Sequence, residues 1–279
     1  MKLTVDIENT VSKLPSGKTL LDPFTEGNRL VLVCTKKDTG EESSFWFDHV
    51  THSTENAKEL LQEQLDKASV LICHNAQHEL TWLWETGFTY DGPVFDTLLV
   101  EYLFQRAVKE PLSLQAIAER YDLENQKLDT LSESLKKGMS VAEIDGDELQ
   151  EYCLTDVRAT QELSDRLRTK MFSQEYATLQ HIIDLTNDVC VLLAKIYYRG
   201  FRVDRQVLLE VKEEFQKEQQ EIQHELKDQL HSLMGDTPIN LASPEQLSTV
   251  VYSRKPKDKA TWATNFSKYM KKAAFSAAT

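Results

Sequence analysis

The chain reads as an α/β protein built on a mixed β-sheet. Three observations carry that reading: an apolar/polar alternation over residues 3–8, two short apolar or aromatic runs joined by a turn, and a helix leading into a fully apolar strand followed by more helices. The opening stretch Leu3-Thr-Val-Asp-Ile-Glu-Asn-Thr10 places alternate side chains on opposite faces. Val5 and Ile7 point to a core, and Asp6 and Glu8 project side by side. Residues 28–34 and 43–47, linked by Lys-Asp-Thr-Gly, complete a three-stranded meander, with Ser12–Glu26 as a loop between the first two strands. Ser53 caps a helix running to about Asp66, with Leu60, Leu61 and Leu65 on one face. Val70-Leu-Ile-Cys73 is a continuous apolar strand of the parallel, doubly covered kind. Helices are expected at 76–86, 96–107 and 112–120, then a polar linker, then a helix near Asp147–Lys170.

From about Tyr176 the character changes, which divides the chain into a first domain, 1–175, and a helical region, 176–279. Ile182–Tyr198 is an apolar-rich helix stopped by Gly200. Val207–Leu233 is long, charge-rich and only thinly striped with apolar residues. Ser243 and Pro244 open a short helix as cap and first residue. Arg254–Thr279 carries seven Lys or Arg against one Asp, and reads equally as a frayed tail or a nucleic-acid contact.

The balance of 45 acidic against 32 basic residues, a formal charge of −13, argues against wrapping nucleic acid over the whole surface. It leaves room for an enzyme that meets phosphates through bound cations. Four scattered cysteines without C-x-x-C spacing read as buried thiols in a reducing compartment, with neither a zinc site nor a disulfide frame. No signal peptide or membrane span is visible, so the expected setting is soluble and cytoplasmic, in a bacterium or a phage-infected cell.

Three groupings bear on chemistry. Asp6 and Glu8 repel unless a cation sits between them, and a hard divalent ion prefers such oxygen ligands; the pair alone reads as readily as a solvated strand face. Asn75 and Glu79 lie four apart directly after the apolar strand, and Tyr152 and Asp156 lie four apart on the late helix. Each pair can face one cleft.

This ordered set resembles the DEDD exonucleases of the tyrosine-bearing subgroup. The runs Ile72-Cys-His-Asn-Ala-Gln-His-Glu-Leu-Thr-Trp-Leu-Trp84, Phe95-Asp-Thr-Leu-Leu-Val-Glu-Tyr-Leu103 and Leu112-Ser-Leu-Gln-Ala-Ile-Ala-Glu-Arg120 resemble the proofreading domain of family A DNA polymerases, phage enzymes most closely. Tyr198-Arg-Gly-Phe-Arg-Val-Asp204 resembles the segment just past that domain. Ile239-Asn-Leu-Ala-Ser-Pro-Glu-Gln-Leu247 and the long charged helix resemble the base of the thumb. Nothing resembles palm or fingers, so the chain looks like a truncated polymerase or one piece of a split one.

The resemblance implies a ribonuclease-H-like mixed sheet flanked by helices, followed by a mainly α-helical thumb fragment. It also implies a two-metal 3′-5′ exonuclease acting on single-stranded DNA 3′ ends beside a palm and fingers supplied in cis or in trans. Asp6, Glu8 and Asp156 would hold one Mg²⁺ or Mn²⁺. Asp6 would bridge to a second ion, with Glu79 beside it directly or through water; such ions sit about 3.5–4 Å apart. Tyr152 would orient the nucleophilic water, and Asn75 and Thr10 would meet the substrate. Glu79 departs from the family, which places Asp there, and its extra methylene moves the carboxylate roughly 1.5 Å outward. Three readings follow: Glu79 works as a ligand after a slight retreat of its helix, it attenuates the nuclease, or Asp96 compensates. The first is favoured because the other four residues are intact. His74 and His78 suit Mg²⁺ poorly and are expected to pack or support.

Overall fold

A computed structural model describes residues 1–125, 131, 134, 138–234, 240 and 242–252; the basic tail from Arg254 and most of the polar linker lie outside them. Two compact units are present, Met1–Gly200 and Phe201–Thr279.

The first unit centres on a five-stranded sheet of order β5-β4-β1-β6-β7. Strand β1 (Lys2–Asn9) pairs antiparallel with β4 (Leu30–Lys37), which pairs antiparallel with β5 (Glu42–Trp46), giving the meander. On its other side β1 runs parallel to β6 (Val70–Cys73), and β6 to β7 (Val94–Asp96). Being three residues long, β7 has no readable periodicity; Asp96, where the sequence predicts a helix to begin, is its last residue. The Ser12–Glu26 segment contains a two-residue hairpin, β2 (Ser12–Lys13) against β3 (Thr19–Leu20).

Helix α1 (Ala57–Lys67) starts later than expected, behind Asn56 in a left-handed conformation and without a side-chain cap. It buries Ala57, Leu61 and Leu65, while Leu60 is exposed. Helices α2 (Ala76–Glu85), α3 (Thr97–Phe104), α4 (Leu114–Tyr121, capped by Ser113) and α5 (Gly146–Met171) follow. Helix α3 stops short of 107 because Arg106 and Ala107 both take positive φ. On the outer strands, Arg158 of α5 makes a two-pronged ion pair with Glu42 at 2.9 and 2.8 Å, which pulls the Glu42 carboxyl down to about 2.

A boundary near residue 175 is not what the structure shows. Helix α6 (Gln180–Arg199) belongs to the first unit, burying Ile183, Asn187, Cys190 and Ala194 against α2, α3 and β7. Its outward face stays apolar and exposed, which explains why composition alone suggested a new domain.

The second unit contains α7 (Arg205–Met234) and α8 (Pro244–Val251), the latter capped as expected by Ser243, whose hydroxyl accepts from the Gln246 amide. Among the described residues no helix is long and apolar enough to cross a membrane.

Candidate active site

The centre of the sheet sets the site. Strand β1 has neighbours on both sides, so its backbone is held, and its pleat puts Asp6 and Glu8 on one face between buried Val5, Ile7 and Asn9. Asp6 lies opposite Cys34 and Glu8 opposite Leu32 on β4. Helix α5 crosses that face. Its Tyr152 and Asp156, one turn apart, reach the same space as the β1 acids. From the other side comes the start of α2, directly after β6, with Asn75 and Glu79. Asp6, Glu8, Asn75, Glu79, Tyr152 and Asp156 all line one cleft of about 820 Å³.

The entry into α2 is unusual. Asn75 has φ 93° and ψ 58°, a left-handed conformation that an L residue adopts at a cost. Asp96 holds it there. The buried Asp96 carboxylate accepts from the amides of Asn75 (3.2 Å) and Ala76 (2.8 Å), and also caps α3 through the amides of Leu98 (2.9 Å) and Leu99 (3.3 Å). The Asp96 amide in turn donates to Asn187 Oδ1 of α6 at 2.9 Å. One carboxylate thus fixes the N-termini of two helices. Its oxygens are spent on backbone amides and it does not line the cleft, so Asp96 does not compensate for Glu79.

Glu79 sits in the first turn of α2 with only 4% of its surface exposed, and its Oε2 has no hydrogen-bond partner among the described residues. Burial, then the charges of Asp6, Glu8 and Asp96, hold its carboxyl well above the usual carboxylate range. A buried, unsatisfied acid facing two others is an unfavourable arrangement that a divalent cation relieves; among the described residues Asp6, Glu8 and Cys153 offer ligand atoms within 4.8 Å of one another, and Glu79 and Asp156 line the same cleft outside that group. The residues therefore fit divalent metal. Because the folded pKa of Glu79 lies above its unfolded value, the stability tied to its proton is full below the ordinary carboxylate range and is lost as pH rises through the raised value. Without divalent ions, Tm is expected to fall as pH rises above the ordinary carboxylate range, and Mn²⁺ to raise Tm more at the higher pH; differential scanning fluorimetry with and without chelator checks both.

The two histidines support the site rather than present free donors. His74 bridges Thr97 Oγ1 (2.9 Å) and the Leu112 carbonyl (3.0 Å), tying β6 to the segment before α4. Asn9 donates its amide to the Thr10 carbonyl, so its Oδ1 faces His78 Nε2 at 3.1 Å and makes that nitrogen the donor. Burial brings His78 down to about 4, which keeps it neutral. Thr10 is not brought to the cleft: its buried hydroxyl accepts from the Arg29 amide at 2.7 Å and is directed at the Gly27 carbonyl. Its role is to close the turn before β4.

Two residues were missed at the sequence level. Lys13, from the short hairpin, lines the cleft and supplies a cation on its rim. Cys153, between Tyr152 and Asp156 in sequence, places Sγ 3.5 Å from Asp6 Oδ2. Its adjacency to two site residues in α5 was the available signal, but the contact with β1 is tertiary.

Comparison with known proteins identifies the family and the fold. The 3′-5′ exonuclease family model of the DNA polymerase A type matches residues 19–171, beginning after the strand that carries Asp6 and Glu8. DNA polymerase I of Synechocystis is 26% identical over 231 residues, covering 82% of this chain but only 22% of that protein. The POL domain of Pol1 from M. smegmatis, solved in complex with DNA primer-template and dNTP, matches at 19% identity over 96% of this chain and 42% of that one, with a TM-score of 0.62. Brucella melitensis NrnC bound to pGG matches at 19% identity over 73% of this chain and 88% of that one, with a TM-score of 0.52. Such structural matches establish the fold, a ribonuclease-H-like mixed sheet flanked by helices. With more than half of its length matched by the family model, this chain belongs to the 3′-5′ exonuclease family of the DNA polymerase A type.

Proposed function

We propose that the chain is a metal-dependent 3′-5′ exonuclease that removes nucleoside monophosphates from single-stranded DNA ends. The observation that supports it most is the convergence of Asp6, Glu8, Glu79, Tyr152 and Asp156, from three distant segments, on one cleft in which a buried Glu79 oxygen is left unsatisfied. Two divalent cations, Mg²⁺ or Mn²⁺, supply Lewis acidity and an activated hydroxide when bound. Asp6, Glu8 and Asp156 would hold one, and Asp6 and Glu79 would hold the second. The Tyr152 hydroxyl orients the attacking water, and Asn75, held left-handed by Asp96, positions the terminal nucleotide. Lys13 meets a substrate phosphate in a cleft otherwise rich in carboxylates. Val11, Leu21 and Met139 line the same cleft and are partly exposed, offering apolar surface on which unpaired bases stack without regard to sequence. A paired terminus cannot splay into it.

The second unit resembles the start of a thumb in its sequence, and that likeness supports a polymerase palm and fingers as partner, in cis or in trans. Digestion of a 5′-labelled single strand, with and without chelator, tests the activity: a ladder of products shortened from the 3′ end is expected only with metal. Tight end-binding without released mononucleotide in Mg²⁺ or Mn²⁺ would instead establish a silent binding module. Matched DNA and RNA oligonucleotides separate this reading from an RNA-trimming nuclease, for which the NrnC likeness is the supporting observation. Glu79→Asp is expected to keep or raise the rate, since Asp is the family's residue there; a drop of about tenfold or more, measured as kcat on the same strand, would show that Glu79 fits its place through its length.

A further inference from the structure

Beneath the β1 acids lies a donor that the proposed hydrolysis does not use. Cys153 is fully buried, with Sγ 3.5 Å from Asp6 Oδ2 and 3.7 Å from the Asp6 carbonyl. A donor atom from each of Asp6, Glu8 and Cys153 can be found within 4.8 Å of the others. Zinc takes sulfur at about 2.3 Å and carboxylate oxygen at about 2.0 Å, which at a tetrahedral angle sets the two ligands about 3.5 Å apart. The Sγ–Oδ2 separation matches that edge. An independent sign that a cation belongs beside Asp6 and Glu8 is Glu79, nine-tenths buried in the cleft those two acids line and with an unsatisfied oxygen.

We propose that Cys153, Asp6 and Glu8 form a site for a thiophilic divalent cation, Zn²⁺ or Cd²⁺, that overlaps the hard-cation site and excludes the hard ion from it. This rests on the reading of Asp6 and Glu8 as metal ligands. Mg²⁺ gains nothing from sulfur, whereas zinc and its heavier congener take thiolate strongly. On binding, the Cys153 S–H bond breaks, a metal–sulfur bond forms and the proton leaves to the buffer; no oxidant or reductant takes part.

Titration of the full chain with Cd²⁺ tests the site through the ultraviolet sulfur-to-cadmium charge-transfer band. One equivalent is expected to saturate the band, and excess Mn²⁺ to weaken it. The band is expected to vanish in Cys153→Ser and to survive in Cys34→Ala, which removes the thiol on the strand opposite Asp6. A band that persists in Cys153→Ser, or that depends on Cys34 instead, overturns the proposal. If Cys153→Ser does not fold, Cys153→Ala removes the thiol without burying a hydroxyl. Cadmium NMR of the unaltered protein reads the ligands directly, and an all-oxygen shift overturns the proposal. Failure of the nuclease reading stays distinct: no cleavage in Mg²⁺ with an intact Cys153-dependent band removes the hydrolysis and leaves the cation site.

Discussion

Asp6→Ala is expected to abolish metal-dependent 3′-end cleavage, by about three orders of magnitude or more. The residue stands on the central strand of the sheet, beside Glu8 and opposite Cys34, where it reaches both the α5 and the α2 sides of the cleft. Metal-assisted charge stabilisation supplies several kcal/mol, and each 1.36 kcal/mol is about tenfold in rate, so losing a ligand shared by both ions removes about 10³-fold. The fold should tolerate the change, because removing one of several mutually repelling acids relieves the apo protein. Equal or higher Tm together with lost cleavage and weakened Mn²⁺ binding is the expected pattern. Retained cleavage at more than about a tenth of the original rate would mean that Asp6 is not a shared ligand.

Asp96→Ala is expected to be the most damaging single change outside the hydrophobic core. Four backbone amides lose their acceptor, two at the start of α2 and two at the start of α3. Losing the α3 cap costs about 0.5–2 kcal/mol, and each of the two buried α2 amides left unsatisfied about 1–3 kcal/mol, giving about 3–8 kcal/mol in all. For a unit of this size that is a fall in Tm of about 10 °C or more by thermal denaturation. Asp96→Asn keeps one accepting oxygen and should fall between the two. In any folded fraction, cleavage should drop as well, because Asn75 and Glu79 lose the anchor that sets where α2 begins. A normal kcat with low Tm would show that the α2 start is held by something else.

Much of the site was readable because its chemistry is carried by local spacing. Alternation on β1 puts Asp6 and Glu8 together, and helical spacing does the same for Tyr152 and Asp156. What escaped depends on contacts between distant segments. Strand β7 is too short to show a period, so Asp96 looked like a helical residue or a substitute ligand rather than the acceptor joining two helix starts. Thr10, next to the strand acids in sequence, follows the bulge between Glu8 and Asn9 and spends its hydroxyl on the Gly27–Arg29 turn. The left-handed Asn75 combines a residue type that tolerates positive φ with an amide held by Asp96 from a distant strand. Helix α6 was set apart because its solvent face is as apolar as its buried one.

That last helix sets how short a working fragment can be. The family-matched stretch ends at residue 171, yet Asn187 supplies the acceptor for the Asp96 amide, and Cys190 and Ala194 complete the packing over α2. A fragment cut near residue 175 would strip that cover from the helix bearing Glu79, and should express as an aggregation-prone species. One ending at Gly200 keeps the whole first unit, and is the minimal piece worth making when the nuclease is to be produced apart from whatever follows it.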